Sequence, residues 1–375
     1  MENTNELSQK LSECRDNLCI MNTLFDAGLI NAEQSEVLHK KLRPPSEVPL
    51  SKIKGMLLGV AIGDALGAPI EGKPPERSEM KILSRYFPTS HITDDTQLTF
   101  WSLEVFLEEG WFNPEKLADR FTKERIIGIG GSIKKFIKNY KRLNMPWYLA
   151  GVESAGNGAL MRLSPVVIPP FLSGPHTTFS DSVIVTYLTH NDRLAISSSV
   201  SFTNILWKLL SRNKPPEPEW WKDEYVNIAR EVEGDSSVYK PRFGKFKGNY
   251  SGPAWDFVDR VLETALREGW TLFDMNKAAG SGAYLLETVP MVLYAMMLHG
   301  DNPSKALSAA VLNSKDSDTI GAIVGYLSGT LHGINGFFSP LIEPLLEGDM
   351  LPHRFLDTLN QIEEILRTAR HQRLE

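Results

Sequence analysis

The chain has almost no cysteine: only Cys14 and Cys19, in 375 residues. Five positions apart, they make no CxxC pair, and so few thiols point to a reducing compartment and a cytoplasmic location. Positive charge is not in excess either. A net charge of −6 argues against general nucleic-acid binding. The one basic run, Lys134 to Arg142, reads as the solvated face of an amphipathic helix. The start, MENTNELSQK, has neither the basic residues nor the apolar run of a secretory leader. No membrane span is expected, because the longest apolar stretch, around Val289 to Leu298, is about half of what a bilayer requires. Alternating β-branched runs are nearly missing, which leaves little material for a sheet. What is present, 42% hydrophobic and 23% charged residues, suits a soluble globular protein.

Helical spacing fills most of the chain. Residues 95–109, 114–123, 133–142, 195–210, 254–267, 283–298, 303–313, 318–332 and 355–370 are candidate helices. Near the start, Leu7, Leu11, Leu18, Met21, Leu24 and Phe25 recur at that spacing until Asp26-Ala27-Gly28, and a second helix is expected after Asn31. Pro44, Pro45 and Pro49 then mark a linker. The expected organisation is a helical hairpin appendage with its linker over 1–49 and an all-α domain over 50–375. The appendage is too small to bury a core unaided, so it should fold back on the body or dock on a partner protein. Segment 211–253, with Pro215, Pro216, Pro218, Trp220 and Trp221, reads as a surface insertion with some helix around 222–232.

Two acidic triplets more than two hundred residues apart carry the chemistry. Thr93-Asp94-Asp95 and Asp316-Ser317-Asp318-Thr319 each open a helical stretch. Either alone would read as a helix cap. Together they offer four carboxylates and hydroxyls, the oxygen donors that hard divalent cations prefer, and two such ions can share bridging carboxylates. Gly321, Gly325, Gly329 and Gly333 fall four apart, so one face of that helix lacks side chains and lets another backbone approach closely. The segment Gly55 to Gly67 is similarly rich in small residues and delivers Glu71 just beyond its end. Ser154 to Arg162 is a glycine-rich turn whose backbone N–H groups suit an anion such as a diphosphate. Two matches fail on the residue that does the chemistry. Gly67 to Lys73 has P-loop spacing, yet Pro74 stands where a hydroxyl is needed. Asp316-Ser317-Asp318 begins like a calcium loop, yet Leu327 occupies the position of its bidentate Glu.

These segments, GMLLGVAIGDALGAPIEG, ITDDTQLTFWSLEVF, GNGALMRLSPV, LTHND and DSDTIGAIVGYLSGTLHG, resemble the ADP-ribosylglycohydrolase family in its motif order, over roughly residues 53 to 338. The resemblance implies a compact orthogonal all-α bundle with two Mg²⁺ or Mn²⁺ ions at the base of an ADP-ribose cleft. It implies Thr93, Asp94, Asp95, Asp316, Asp318 and Thr319 as metal ligands, and one of Glu71, Asp94 or Asp316 as general acid or base. Gly156, Asn157 and Gly158 would hold the diphosphate and distal ribose, with His190 at the ligand cleft. Lys315 departs from the family, where glycine is common. The implied activity is hydrolysis of the bond joining ADP-ribose to an acceptor, an ADP-ribosylated protein with arginine linkage favoured. The competing expectation is an ADP-ribose-binding or partner-blocking protein that works through residues 1–49.

Overall fold

Glycine meets glycine where helix Leu50–Gly67 runs antiparallel to helix Ser317–His332. Gly55, Gly59 and Gly63 face Gly329, Gly325 and Gly321, and Gly67 faces the backbone of Ser317. A Cβ on Gly55 would lie 2.7 Å from the Gly329 carbonyl oxygen, and Gly59, Gly63 and Gly67 leave less room still. The Ser317 hydroxyl closes the end of this contact by donating to the Gly67 carbonyl at 2.9 Å. Gly55, Gly59, Gly63 and Gly67 on the first helix repeat the spacing of four seen on the second, so each helix offers a face without side chains.

The computed structural model describes residues 2–45, 47, 49–74, 91–337, 339–347 and 350–374. Among these residues there is no strand, only isolated bridges such as Leu42 with His176 and Val152 with His190. The all-α expectation holds. Helices Asp94–Glu109 and His353–Leu374 pack on the first glycine helix. Helices Arg193–Leu210, Leu285–His299 and Pro303–Asn313 pack on the second. By length and composition, Leu50–Ile70 is the one described helix able to cross a membrane, a longer apolar run than the stretch at Val289. Here every residue from Gly55 to Gly67 is buried in protein.

Most periodic segments form the helices expected of them, including Pro114–Lys123, Ala254–Glu268 and Pro303–Asn313. The 133–142 segment is helical over Gly131–Ile137 and widens to a π-turn over Lys138–Arg142. Helix Thr178–Tyr187 was not foreseen. All ten of its residues are buried, so it has no polar face and no period to read.

Four expectations need correction. The N-terminal run is broken at Cys14-Arg15-Asp16 into helices Glu2–Glu13 and Asn17–Asp26, because the Asp16 carboxylate caps the second by accepting from Cys19 N–H at 2.8 Å. No helix of useful length follows Asn31; the chain makes only a 3₁₀ turn over Glu36–His39. Cys14 and Cys19, whose scarcity points to a reducing compartment, are joined in a disulfide across that break. The segment does fold back on the body: Ile20, Met21, Leu24 and Leu38 belong to the continuous core. Asn17 donates to Asp181 at 2.8 Å and to the Phe112 carbonyl at 3.1 Å. Segment 211–253 holds the helix expected around 222–232 and is largely exposed on either side of it, but that helix is not a surface feature. Pro218 starts a helix that runs to Glu233, with Trp221, Tyr225 and Val232 fully buried against helix Arg193–Leu210.

Two substitutions test this packing. Gly325→Ala should cost at least about 3 kcal/mol in urea unfolding, since its methyl group meets backbone that cannot move aside. Leu24→Ala should cost about 2–4 kcal/mol, as an ordinary core position does. A cost below about 1 kcal/mol at Leu24 would instead mean a loosely attached arm.

Candidate metal centre and ligand cleft

Because the glycine helices are antiparallel, the end of the first lies beside the start of the second. Asp64, one turn before that end, is completely buried. Its carboxylate accepts from Thr93 N–H at 2.8 Å, Thr96 N–H at 3.1 Å, the Thr93 hydroxyl at 2.8 Å and the Thr96 hydroxyl at 2.5 Å. Asp64 thus caps helix Asp94–Glu109 from a neighbouring helix. Thr93 makes no side-chain cap of its own helix, and Asp316 makes none of helix Ser317–His332. The capping explanation of the two triplets therefore fails, and their side chains are turned to another use. The sequence signal for Asp64 was available: it is the only charge inside the stretch Gly55 to Gly67.

Oxygen atoms from both triplets converge. Carboxylates of Asp64, Asp95 and Asp318 come within 4.8 Å of one another, as do those of Glu71, Asp316 and Asp318. The hydroxyls of Thr93 and Thr319 lie 3.2 and 3.3 Å from the same Asp95 oxygen. Asp94 receives the Gly130 N–H at 3.4 Å, and Gly128 passes so close that a Cβ would lie 3.1 Å from its carboxylate. The glycine-rich loop 128–131 went unnoticed in the sequence, although its composition resembles that of the 156–158 turn. Asn157 donates to Asp316 at 2.5 Å and to the Thr288 hydroxyl at 3.0 Å, so the turn orients a site carboxylate.

One cleft collects the rest. Glu71, Asp94, Gly156, Asn157, Gly158, His190, Asp316, Asp318 and Thr319 line it, together with the loop 130–133. Glu71 is exposed at its mouth, while Thr93 and Asp95 lie buried beneath. Lys315 is exposed beside it, its carbonyl accepting from Gly72 N–H at 2.8 Å.

The carboxyl groups of the site are shifted towards their protonated forms. Burial, then the neighbouring Asp64 charge, pushes the Asp94 carboxyl up to about 7. Burial pushes Asp316 up to about 6, against the Asn157 hydrogen bond that pulls it down. Asp95 and Asp318 are raised well above the carboxylate range by burial and by the adjoining aspartates. No arginine or lysine pairs with any of the four among the described residues. Asp95 Oδ1 is buried and unpartnered. An all-oxygen set of hydroxyls and carboxylates with an orphaned buried oxygen fits Mg²⁺ or Mn²⁺ and does not suit a softer metal.

A sequence profile described as ADP-ribosylglycohydrolase matches residues 45–373. A relative named ADP-ribosylhydrolase ARH3 from Xenopus tropicalis is 25% identical over 317 residues, covering 76% of this chain and 88% of that protein. One named ADP-ribosylarginine hydrolase Tri1, from Pseudomonas putida, is 22% identical over 337 residues, covering 85% and 81%. Among solved structures, an ADP-ribosylglycohydrolase-related protein complex aligns with TM-score 0.58 and 23% identity, over 86% of this chain and 99% of that one, which speaks for the fold.

The raised carboxylates make a sign-definite prediction for metal-stripped protein. The folded state holds its protons up to about pH 6–7 at Asp316 and Asp94, whereas an unfolded aspartate loses its own near pH 3.8. Folded protein therefore binds more protons in that window, and stability should fall as pH rises through it. Thermal melts in chelator should show the fall, and added Mg²⁺ or Mn²⁺ should abolish it. A pH-independent melting temperature without metal would contradict this picture.

Proposed function

The chain belongs to the ADP-ribosylglycohydrolase family, and from that premise we propose that it is a metal-dependent hydrolase of the glycosidic bond between ADP-ribose and an acceptor, reversing protein ADP-ribosylation. The observation that carries this reading is the convergence of the two acidic triplets beneath a cleft that also holds the glycine turn. Two divalent cations, held by Thr93, Asp94, Asp95, Asp316, Asp318 and Thr319, would supply charge neutralisation and a grip on the hydroxyls of the terminal ribose. Arginine-linked ADP-ribose on a protein is the favoured substrate, which the name of the Tri1 relative supports.

The chain's own groups divide the work. Asn157 fixes Asp316, and the Gly130 N–H contacts Asp94, so those two carboxylates are committed to position. The Glu71 carboxylate, exposed at the mouth and without a hydrogen-bond partner among the described residues, is the freest to hand a proton to the leaving acceptor and to take one from water. Buried carboxylates around the ribose would offset positive charge developing on its ring.

Purified protein with Mg²⁺ or Mn²⁺ should release free ADP-ribose, not AMP, from an ADP-ribosyl-arginine protein, as separated by chromatography. Asp316→Ala should abolish release without unfolding the chain. Glu71→Gln should lower kcat by about 10²–10⁴ while leaving metal content intact. Full activity after thorough metal stripping would sink the proposal.

A further inference from the structure

Arg162 is 2% exposed and has no carboxylate partner among the described residues. One guanidinium nitrogen donates to the Val185 carbonyl at 3.0 Å and to the Thr189 hydroxyl at 2.8 Å; Nε is unpartnered, and the group stacks 4.8 Å over the Phe121 ring. Burying a cation without a counter-charge is costly, so the position calls for an explanation. Burial lowers the guanidinium to about 9, which still leaves it charged at neutral pH.

The explanation lies one bond further on. The Thr189 hydroxyl sits 2.8 Å from His190 Nδ1. Arginine can only donate, so the hydroxyl oxygen is an acceptor towards Arg162. The hydroxyl hydrogen is then free to point at Nδ1; when it does so Nδ1 is the acceptor and in neutral imidazole the proton resides on Nε2, whereas the opposite tautomer would donate to the same oxygen. His190 is 1% exposed, and Nε2 has no protein partner among the described residues. It faces the glycine turn: a Cβ on Gly156 or Gly158 would lie 3.5 or 3.4 Å from Nε2.

We propose that Arg162, acting through Thr189, fixes His190 as the tautomer whose Nε2–H points into the cleft, so that His190 gives a neutral hydrogen bond to a ligand oxygen at the Gly156–Gly158 turn and takes no part in proton transfer. Arg162 and Thr189 are positioning residues. The acceptor is a phosphate or ribose oxygen, so this assignment rests on the cleft taking ADP-ribose. Burial, and the charge of Arg162 as the neighbouring ionised group acting on the ring, hold the imidazole down to about 3, which agrees with a group that stays neutral. The reading separates His190 from Glu71, whose proposed role requires a proton to move.

Protein labelled with ¹⁵N at histidine tests the tautomer directly. His190 should appear as neutral Nε2–H imidazole that does not titrate between about pH 5 and about pH 8, where an ordinary histidine does. Adding ADP-ribose with Mg²⁺ should shift that N–H signal. Thr189→Val removes the hydroxyl; it should lose the single tautomer and weaken ADP-ribose binding about three- to tenfold, one neutral hydrogen bond, in calorimetry. Thr189→Ser should restore both. A His190 that titrates near its ordinary value, an Nδ1–H tautomer, or unchanged affinity in Thr189→Val overturns the proposal. Failure of wild-type protein to bind ADP-ribose would count against the functional reading alone, because the imidazole signal of the free protein still decides the tautomer.

Discussion

Backbone-to-backbone contact between the two glycine helices is the constraint from which the site follows. Side chains in a packed core can exchange rotamers, but a facing pair of glycines has nothing to rearrange. Three such pairs in succession, closed by Gly67 against Ser317, fix both the axial register and the separation of the helices. That register decides which residues meet beyond the contact. Asp64 faces the start of helix Asp94–Glu109, and Gly72 N–H reaches the Lys315 carbonyl, which brings Glu71 alongside Asp316 and Asp318. Precise ligand placement thus comes from the most rigid part of the molecule, where a preorganised site has to be built.

The same rigidity explains how so many like charges can be held together. Carboxylates in a yielding protein would move apart or find basic partners. Here Asp95 and Asp318 can do neither, and in the absence of a cation burial and mutual repulsion favour their protonated forms. The hydrogen bonds within the site are distributed unevenly. Asp64 is saturated by four donors and serves structure, whereas Asp95 retains an oxygen with no donor at all. That contrast separates a capping carboxylate from one left available to a metal.

What could be read from the sequence, and what could not, divides along physical lines. Amphipathic helices were legible because one face meets water, as in Ala254–Glu268. Helix Thr178–Tyr187 was hidden because no face does. The acidic triplets were legible as local clusters of rare chemistry. Their convergence depends on a register between helices some 250 residues apart, which the spacing on one helix can suggest but not fix. Asp64 escaped attention since a lone aspartate in an apolar helix shows its purpose only when its four donors are in place. Segments 1–49 and 211–253 were misjudged in parts for a common reason: proline-rich stretches suggest exposure, and burial of Trp221 or Leu24 is a tertiary fact.

Those two segments meet at one place. Asn31 N–H donates to the Asn191 side chain at 2.9 Å, the Asn191 amide donates to the Leu29 carbonyl at 2.8 Å, and Glu33 pairs with Arg193. From the other segment, Tyr239 donates to Asp192 at 2.9 Å, and the Leu194 N–H reaches the Tyr239 hydroxyl at 2.9 Å. Glu33 N–H also donates to the Val232 carbonyl at 2.8 Å, tying the two segments to each other. Apart from that tie, these contacts fall on residues 191–194, immediately after His190. The turn that presents Nε2 to the cleft is therefore gripped from outside by both segments and from inside by Arg162. A histidine whose value lies in a fixed orientation needs its backbone held as firmly as its ring. Parts of the chain that looked peripheral in the sequence supply that hold.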